Sequence, residues 1–427
     1  MTYAETDDRR RNTIRLRGRG SPQLPMLLTL AVFALLAAGC QRVAKPQGWA
    51  PPRMEEGTLY ASIDVGRMAA LDPDDLTVKW VFPPNTDEGD KLDLQGIYAS
   101  PVVDGDAIYF GAYDDNVYAL NAEDGSLRWA FKTDDPVVGS LTLKGATLYV
   151  GSTDGILYAI DTAACTNSCP LEAARTFDTG SSIWASPLLL EGILYVAAMN
   201  GRLYALNAET LEPVDGFSFE GEAGLLVEPT PANDDTLLTG GIDNKLYALD
   251  RATGAQKWSV EGSNWFWGSP LVDGETVYAA DLDGNVHALS VSDGNPIWSD
   301  AFKTESPIRS APLLAGETLV VVDRAGNAYG LDPKSGTQQW GPTLLGKVVL
   351  SDPSLLDRST AGDTNSSPSA SPTDGSPAPT GEASPTRAAR EDTATEVLIS
   401  AQGGDLCRID PATGSPVVEP PCVEVPL

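Results

Sequence analysis

One histidine, His287, serves a chain of 427 residues. Catalytic triads and His-rich metal sites both depend on imidazole, so that scarcity argues against both. Basic residues are thin as well: 29 Lys and Arg stand against 59 Asp and Glu, a formal net charge of −30. Phosphate backbones and anionic lipid surfaces repel such a chain, which argues against nucleic-acid binding. There are five cysteines, with no adjacent pair and no Cys-x-x-Cys-His run for haem attachment. Long apolar runs are scarce too. The run "MLLTLAVFALLAAGC" ending at Cys40 is too short to span a bilayer.

What is present begins at that run. Arg9, Arg10, Arg11, Arg15, Arg17 and Arg19 precede it, the layout of a secretory signal. Leu36-Ala37-Ala38-Gly39-Cys40 resembles the lipobox of bacterial lipoproteins, which implies cleavage before Cys40 and diacylglycerol on its sulfur. An uncleaved short anchor is the alternative, and both place the remainder outside the cytoplasm. Residues 1–39 then read as signal peptide, 40–45 as a lipidated tether and 46–427 as the folded body. An oxidising compartment suits the other cysteines as two local disulfides. Cys165 pairs with Cys169 across "CTNSC", and Cys407 with Cys422 within one hairpin. A metal site at the first pair lacks a third or fourth Cys or His nearby.

From residue 46 the chain repeats itself. "IYFGAYDDNVYALNAEDGSLRWAF" from Ile108, "LLTGGIDNKLYALDRATGAQKWSV" from Leu237 and "VYAADLDGNVHALSVSDGNPIWSD" from Val277 share one plan. Each is a short apolar strand, a tight turn, an LYAL-type strand, a second turn ending in Gly and a strand that carries Trp. Four strands per unit, recurring every 40–50 residues or so, mark β-propeller blades. Eight units predict an all-β, eight-bladed propeller of four-stranded antiparallel blades, whose closure as a monomer leaves no long exposed edge. A Ser/Thr/Pro-rich stretch at about 357–396 interrupts the eighth unit and is expected to be a disordered insertion.

The pattern Ala248-Leu249-Asp250, Thr253-Gly254, Trp258 resembles the PQQ-type (quinoprotein) propeller repeat. The resemblance places Trp80, Trp129, Trp258, Trp298 and Trp340 between adjacent blades as docking residues. Blades three, four and eight lack that Trp, with Phe217 or Phe219 near the place in blade four, so docking there is expected to be weaker. Quinoprotein dehydrogenases of this fold hold pyrroloquinoline quinone and calcium beside an adjacent-cysteine disulfide. This chain offers only Glu228, with Asp352 nearby, as oxygen ligands at the channel, far short of the six to eight that calcium takes. Lipoproteins of BamB type share the repeat and the anchor. That resemblance implies a non-enzymatic scaffold, without cofactor, bound to the barrel-assembly machinery where the source has two membranes.

One stretch resists a purely structural reading. Residues 263–270, "SNWFWGSP", put three aromatics in a row ahead of a proline. Aligned on that proline, or on its equivalent, the position three residues earlier is Trp49, Tyr98, Val138, Trp184, Glu228, Trp267, Arg309 and Leu350 in the eight blades. Each begins an innermost strand, so the eight are expected to ring the channel mouth, with Trp265 as a further wall. Such a mouth suits a small molecule or peptide, in a ligand-binding or sensory propeller. Alternatively the aromatics pack between blades and Glu228 pairs with Arg309. His287 replaces a strand Tyr, and "DLDGN" at 281–285 reads as a hairpin turn. A scaffold would use the connections 83–97 and 220–227, where charge at Leu225 or Leu226 should expel a partner.

Overall fold

A computed structural model describes residues 48–63, 66–84, 92–357 and 395–425. The signal peptide, Cys40, the tether, residues 85–91 of the 83–97 connection and nearly all of the blade-eight insertion lie outside these residues. The described body is eight four-stranded antiparallel sheets, in each of which sequence neighbours are spatial neighbours. The blades span 53–82, 102–132, 142–178, 188–220, 230–261, 271–303, 313–344 and 354–423. In blade eight the first strand is Ser354–Asp357 and the second Thr395–Ser400, so the insertion joins them, as expected. Among the described residues no helix is long and apolar enough to cross a membrane.

Blade two shows how sequence becomes strand. Its second strand, Ala107–Gly111, is wholly buried, because both faces of an inner strand meet neighbouring blades. Its outermost strand, Leu127–Lys132, instead buries Trp129 and Phe131 while exposing Leu127 and Lys132. That alternation is what period-two side-chain geometry requires of a half-covered strand.

The apolar residues fall into eight clusters, each shared by two successive blades. Trp80 and Phe82 of blade one meet Ile108 and Phe110 of blade two. Leu59 and Leu71 of blade one meet Leu356 and Leu398 of blade eight, which closes the ring. The Trp docking is specific. Trp80 Nε1 donates to Ala122 O at 2.9 Å, Trp258 to Val291 O at 2.8 Å, Trp298 to Pro333 O at 3.0 Å and Trp340 to Pro411 O at 2.8 Å. Each acceptor opens the turn of the next blade that ends in Gly. A Cβ on Gly125 would come within 2.5 Å of the Trp80 ring, and its φ of +70° disfavours other residues in any case. The Gly and Trp of the repeat are therefore two halves of one contact.

In blades three and four, where Trp is missing, the equivalent acceptor of the next blade still has a side-chain donor. Tyr149 Oη donates to Ala208 O at 2.8 Å and Tyr195 Oη to Arg251 O at 3.1 Å, the same acceptor positions. Phe217, rather than Phe219, packs on Tyr195, with centroids 5.8 Å apart as for Tyr278 and Trp298. At the closing interface Arg408 reaches Asp74 O. Both disulfides are formed. Cys165–Cys169 joins the cluster of Trp129, and Cys407–Cys422 links paired strands at the interface of blades seven and eight.

Candidate functional site

All eight positions inferred from the proline alignment line one cavity of about 260 Å³: Trp49, Tyr98, Val138, Trp184, Glu228, Trp267, Arg309 and Leu350. Every one sits just ahead of an innermost strand, so eight successive blades deliver one side chain apiece to the same opening. The aromatic triplet divides its labour. Phe266 is buried with Trp258 and Val277 between blades five and six, whereas Trp267 faces the cavity.

Trp265 corrects the expectation. It is 38% exposed and does not line the cavity. The segment is not a regular strand; only Phe266 makes an isolated bridge, to Asp281. Asn264 Oδ1 accepts the Trp265 N–H at 2.8 Å, so strict alternation fails there. Leu225 also departs from expectation: it is fully buried between blades four and five, while Leu226 lines the cavity.

The charged pair does not pair. Arg309 stacks on Trp267, its Cζ 4.5 Å from the ring centroid, and among the described residues no ion pair joins it to Glu228. Burial, with Arg324 nearby, pulls the Arg309 guanidinium below its usual range. Burial first, and the negative charge of Asp352 second, push the Glu228 carboxyl up to about 7, against a hydrogen bond from Ser186. Asp352 is also raised by burial, although its Oδ1 accepts the Ala311 N–H at 2.6 Å. Two carboxylates thus share a poorly solvated opening. Elsewhere in the opening Trp49 meets Tyr98 edge-on at 4.3 Å, and Tyr98 contacts Tyr113 at 5.3 Å. Burial, with the neighbouring Tyr113, pushes Tyr98 up to about 12, so it stays neutral in ordinary conditions.

Tyr113 and Ser186 belong to the opening but escaped the sequence. Tyr113 sits in the "AYDDN" turn, where its type reads as ordinary turn chemistry; its N–H binds Gly96 O at 2.9 Å, which turns it toward the mouth. His287 occupies the Tyr slot as expected, opposite Ala279 on the neighbouring strand. Its Nε2 lies 3.4 Å from Asp281 Oδ2.

A quinone with calcium does not fit this opening. Glu228 and Asp352 are its carboxylates, their surroundings favour the protonated forms, and Asp352 already spends an oxygen on Ala311. Among the described residues no cluster of three His, Cys, Asp or Glu can hold a metal. The Cys165–Cys169 disulfide is buried in the interface of blades two and three.

Against known proteins, residues 66–168 and 218–371 match the family model described as outer membrane protein assembly factor BamB. The chain is 28% identical to BamB of Burkholderia pseudomallei over 225 residues, 49% of this chain and 57% of that one. It is 25% identical to BamB of Escherichia coli over 326 residues, 60% and 78% of the two chains. The quinoprotein ethanol dehydrogenase of Pseudomonas putida is 23% identical over 60% of this chain but only 37% of its own length. The chain therefore spans little more than half of the first two curated relatives it matches, at 57% and 56%. The computationally designed protein Ika8 superposes with a TM-score of 0.61 at 11% identity, covering 85% of this chain and 96% of that one, which is a likeness of fold alone.

Proposed function

Because the chain belongs to the PQQ-like propeller family described as outer membrane protein assembly factor BamB, we propose that it is a non-enzymatic scaffold. It is anchored by lipid at Cys40 on the extracytoplasmic side of a membrane, acts as a monomer, and binds a protein partner of the barrel-assembly machinery. The observation that carries this reading is the family match at 66–168 and 218–371, which together cover most of the blades. The closed ring supports it, since eight shared apolar clusters make a rigid frame for its connections. The unsuitable donor set at the mouth weighs against the dehydrogenase alternative.

Partner contact is assigned to the connections that enter the innermost strands. Leu92, Trp265 and Val348 lie there and are exposed, large and apolar, the surface that a partner would cover. The test is deletion of the gene in the native host, complemented with the wild-type chain or with a Trp265→Asp, Val348→Asp variant. Folded outer-membrane barrel proteins would be quantified by mass spectrometry. Their loss on deletion, restored by the wild type and not by the variant, is expected. An unchanged complement of barrel proteins after deletion overturns the reading.

A further inference from the structure

Two buried acids elsewhere in this protein pair with cations, Asp405 with Lys347 and Glu396 with Arg408 at 2.6 Å. The fully buried Asp281 and Asp323 instead take hydrogen bonds from the amides of Asn285 and Asn327. Glu228 and Asp352 differ: both line the cavity, and neither forms an ion pair with a Lys, Arg or His among the described residues. The one cation lining the cavity, Arg309, lies over Trp267. Burial holds both toward their protonated forms, and a bound cation would supply the counter-charge that lets them ionise. The rest of the opening is aromatic, with Trp49 edge-on to Tyr98 and Trp184 36% exposed. Carboxylates set among the electron-rich faces of Trp and Tyr form the combination that attracts an organic cation. A cation is the ligand that favours the ionised carboxylates over the protonated forms that burial imposes.

We propose that the channel mouth binds an organic cation, a primary ammonium or guanidinium group, between the carboxylates of Glu228 and Asp352 and the aromatic walls of Trp49 and Trp184. A free amine and the Lys or Arg side chain of a peptide both present that chemistry. A cavity of about 260 Å³ accepts a group of side-chain size. The inference does not depend on the scaffold reading, because it rests on the charges in the opening and not on the family.

The site is pH-dependent by construction. Glu228 titrates at about 7 when the opening is empty, and a bound cation favours its ionised form. The other charged or titratable groups of the opening are Asp352, itself raised; Arg309, with Arg324 nearby; and Tyr98 and Tyr113. Tyr98 does not ionise near neutrality, and Arg309 remains charged. Between pH 6 and pH 8 the ionised fraction of Glu228 rises from about one-tenth to about nine-tenths, so affinity should rise about ninefold.

The experiment uses the full chain purified from its native host in a non-ionic detergent. Tryptophan fluorescence and calorimetry would follow binding of cadaverine and of Nα-acetyl-lysine amide, with neutral N-acetyl-norleucine amide as control. Saturable binding of at least one cation, tighter at pH 8, is expected, with the neutral analogue inert. Which cation binds identifies the source. Glu228→Gln should weaken binding at least tenfold at pH 8 and flatten its pH dependence while the fold stays intact by circular dichroism. Asp352→Asn serves as a second variant if Glu228→Gln misfolds. Failure of both cations to bind, equal binding of the neutral analogue, or undiminished binding in a folded Glu228→Gln variant overturns the proposal.

Discussion

Arg408 of blade eight donates from Nη1 to Asp74 O of blade one at 3.0 Å, while its Nε donates to Glu396 Oε2 at 2.7 Å. A single guanidinium therefore spans the interface where the two ends of the repeat array meet. The pair is almost fully buried, with 3% and 7% of the two side chains exposed. Removing one partner of such a pair leaves an uncompensated charge in the interior. Arg408→Leu should destabilise the protein by about 3–5 kcal/mol. The double variant Arg408→Leu, Glu396→Leu should recover most of that loss. Denaturant titrations of the wild type, both single variants and the double variant measure the coupling.

The hydroxyl of Tyr149 stands in for a missing Trp at the interface of blades three and four, so its removal should be felt. Tyr149→Phe takes from Ala208 O the side-chain donor it has at 2.8 Å. An unsatisfied buried carbonyl costs about 1–3 kcal/mol. Tyr278→Phe is the control, because Pro333 O accepts from both Tyr278 Oη at 2.9 Å and Trp298 Nε1 at 3.0 Å. It should cost less than Tyr149→Phe by about 1 kcal/mol. Thermal melts of the two variants side by side test the substitution of Tyr for Trp. Equal losses would refute it.

The ring of the mouth was legible because a proline marks the entry of nearly every innermost strand, so Trp184, Glu228, Trp267 and Arg309 could be aligned without coordinates. The docking Trp residues were legible for a related reason: Trp129, Trp258, Trp298 and Trp340 each stand four residues after a Gly of positive φ, a place that Leu76 takes ahead of Trp80. What stayed hidden depends on relations between blades. Tyr149 and Tyr195 look like the other strand tyrosines, and only the packed ring shows which carbonyl each hydroxyl meets. The separation of Glu228 from Arg309 was hidden likewise, because one intervening blade in sequence says nothing about side-chain direction. Trp265 misled because alternation was assumed for a segment that is not a regular strand. Leu225, read as a surface residue of a connection, is packed between blades four and five, so a charge there would test stability and not partner binding.

Glu228 should make the protein less stable as pH rises. Its folded-state carboxyl is held up at about 7 from an ordinary 4.5, chiefly by burial. Between those values the unfolded chain has released the proton while the folded chain keeps it, so stability falls as pH increases. Above pH 7 the loss is complete and amounts to about 3 kcal/mol as an upper figure. Glu228→Gln should therefore gain stability over the wild type at pH 8, and the gain should shrink toward pH 4.5. Denaturation midpoints of both proteins across that range decide the matter. A difference that does not change with pH would show that Glu228 ionises as freely as in water.

Asp281 carries the opposite sign. Burial alone would raise its carboxyl, but hydrogen bonds from His287, Asn285 and the Ser263 N–H outweigh burial and hold it down at about 2. Asn285 Nδ2 lies 2.9 Å from Oδ2, the Ser263 N–H donates to the same oxygen at 3.1 Å, and the side chain is wholly buried. A carboxylate depressed in the fold contributes stability above its ordinary value near 3.8, and the contribution is lost as pH falls toward 2. Asp281→Asn should therefore cost about 2 kcal/mol at pH 7, and progressively less below pH 4. His287→Phe should reproduce part of the cost, because it removes one of the bonds that depress the carboxyl. Stability curves of the wild type and both variants between pH 2.5 and 7 separate this hairpin anchor from simple packing. A packing loss would persist unchanged at the acid end, where an electrostatic one disappears.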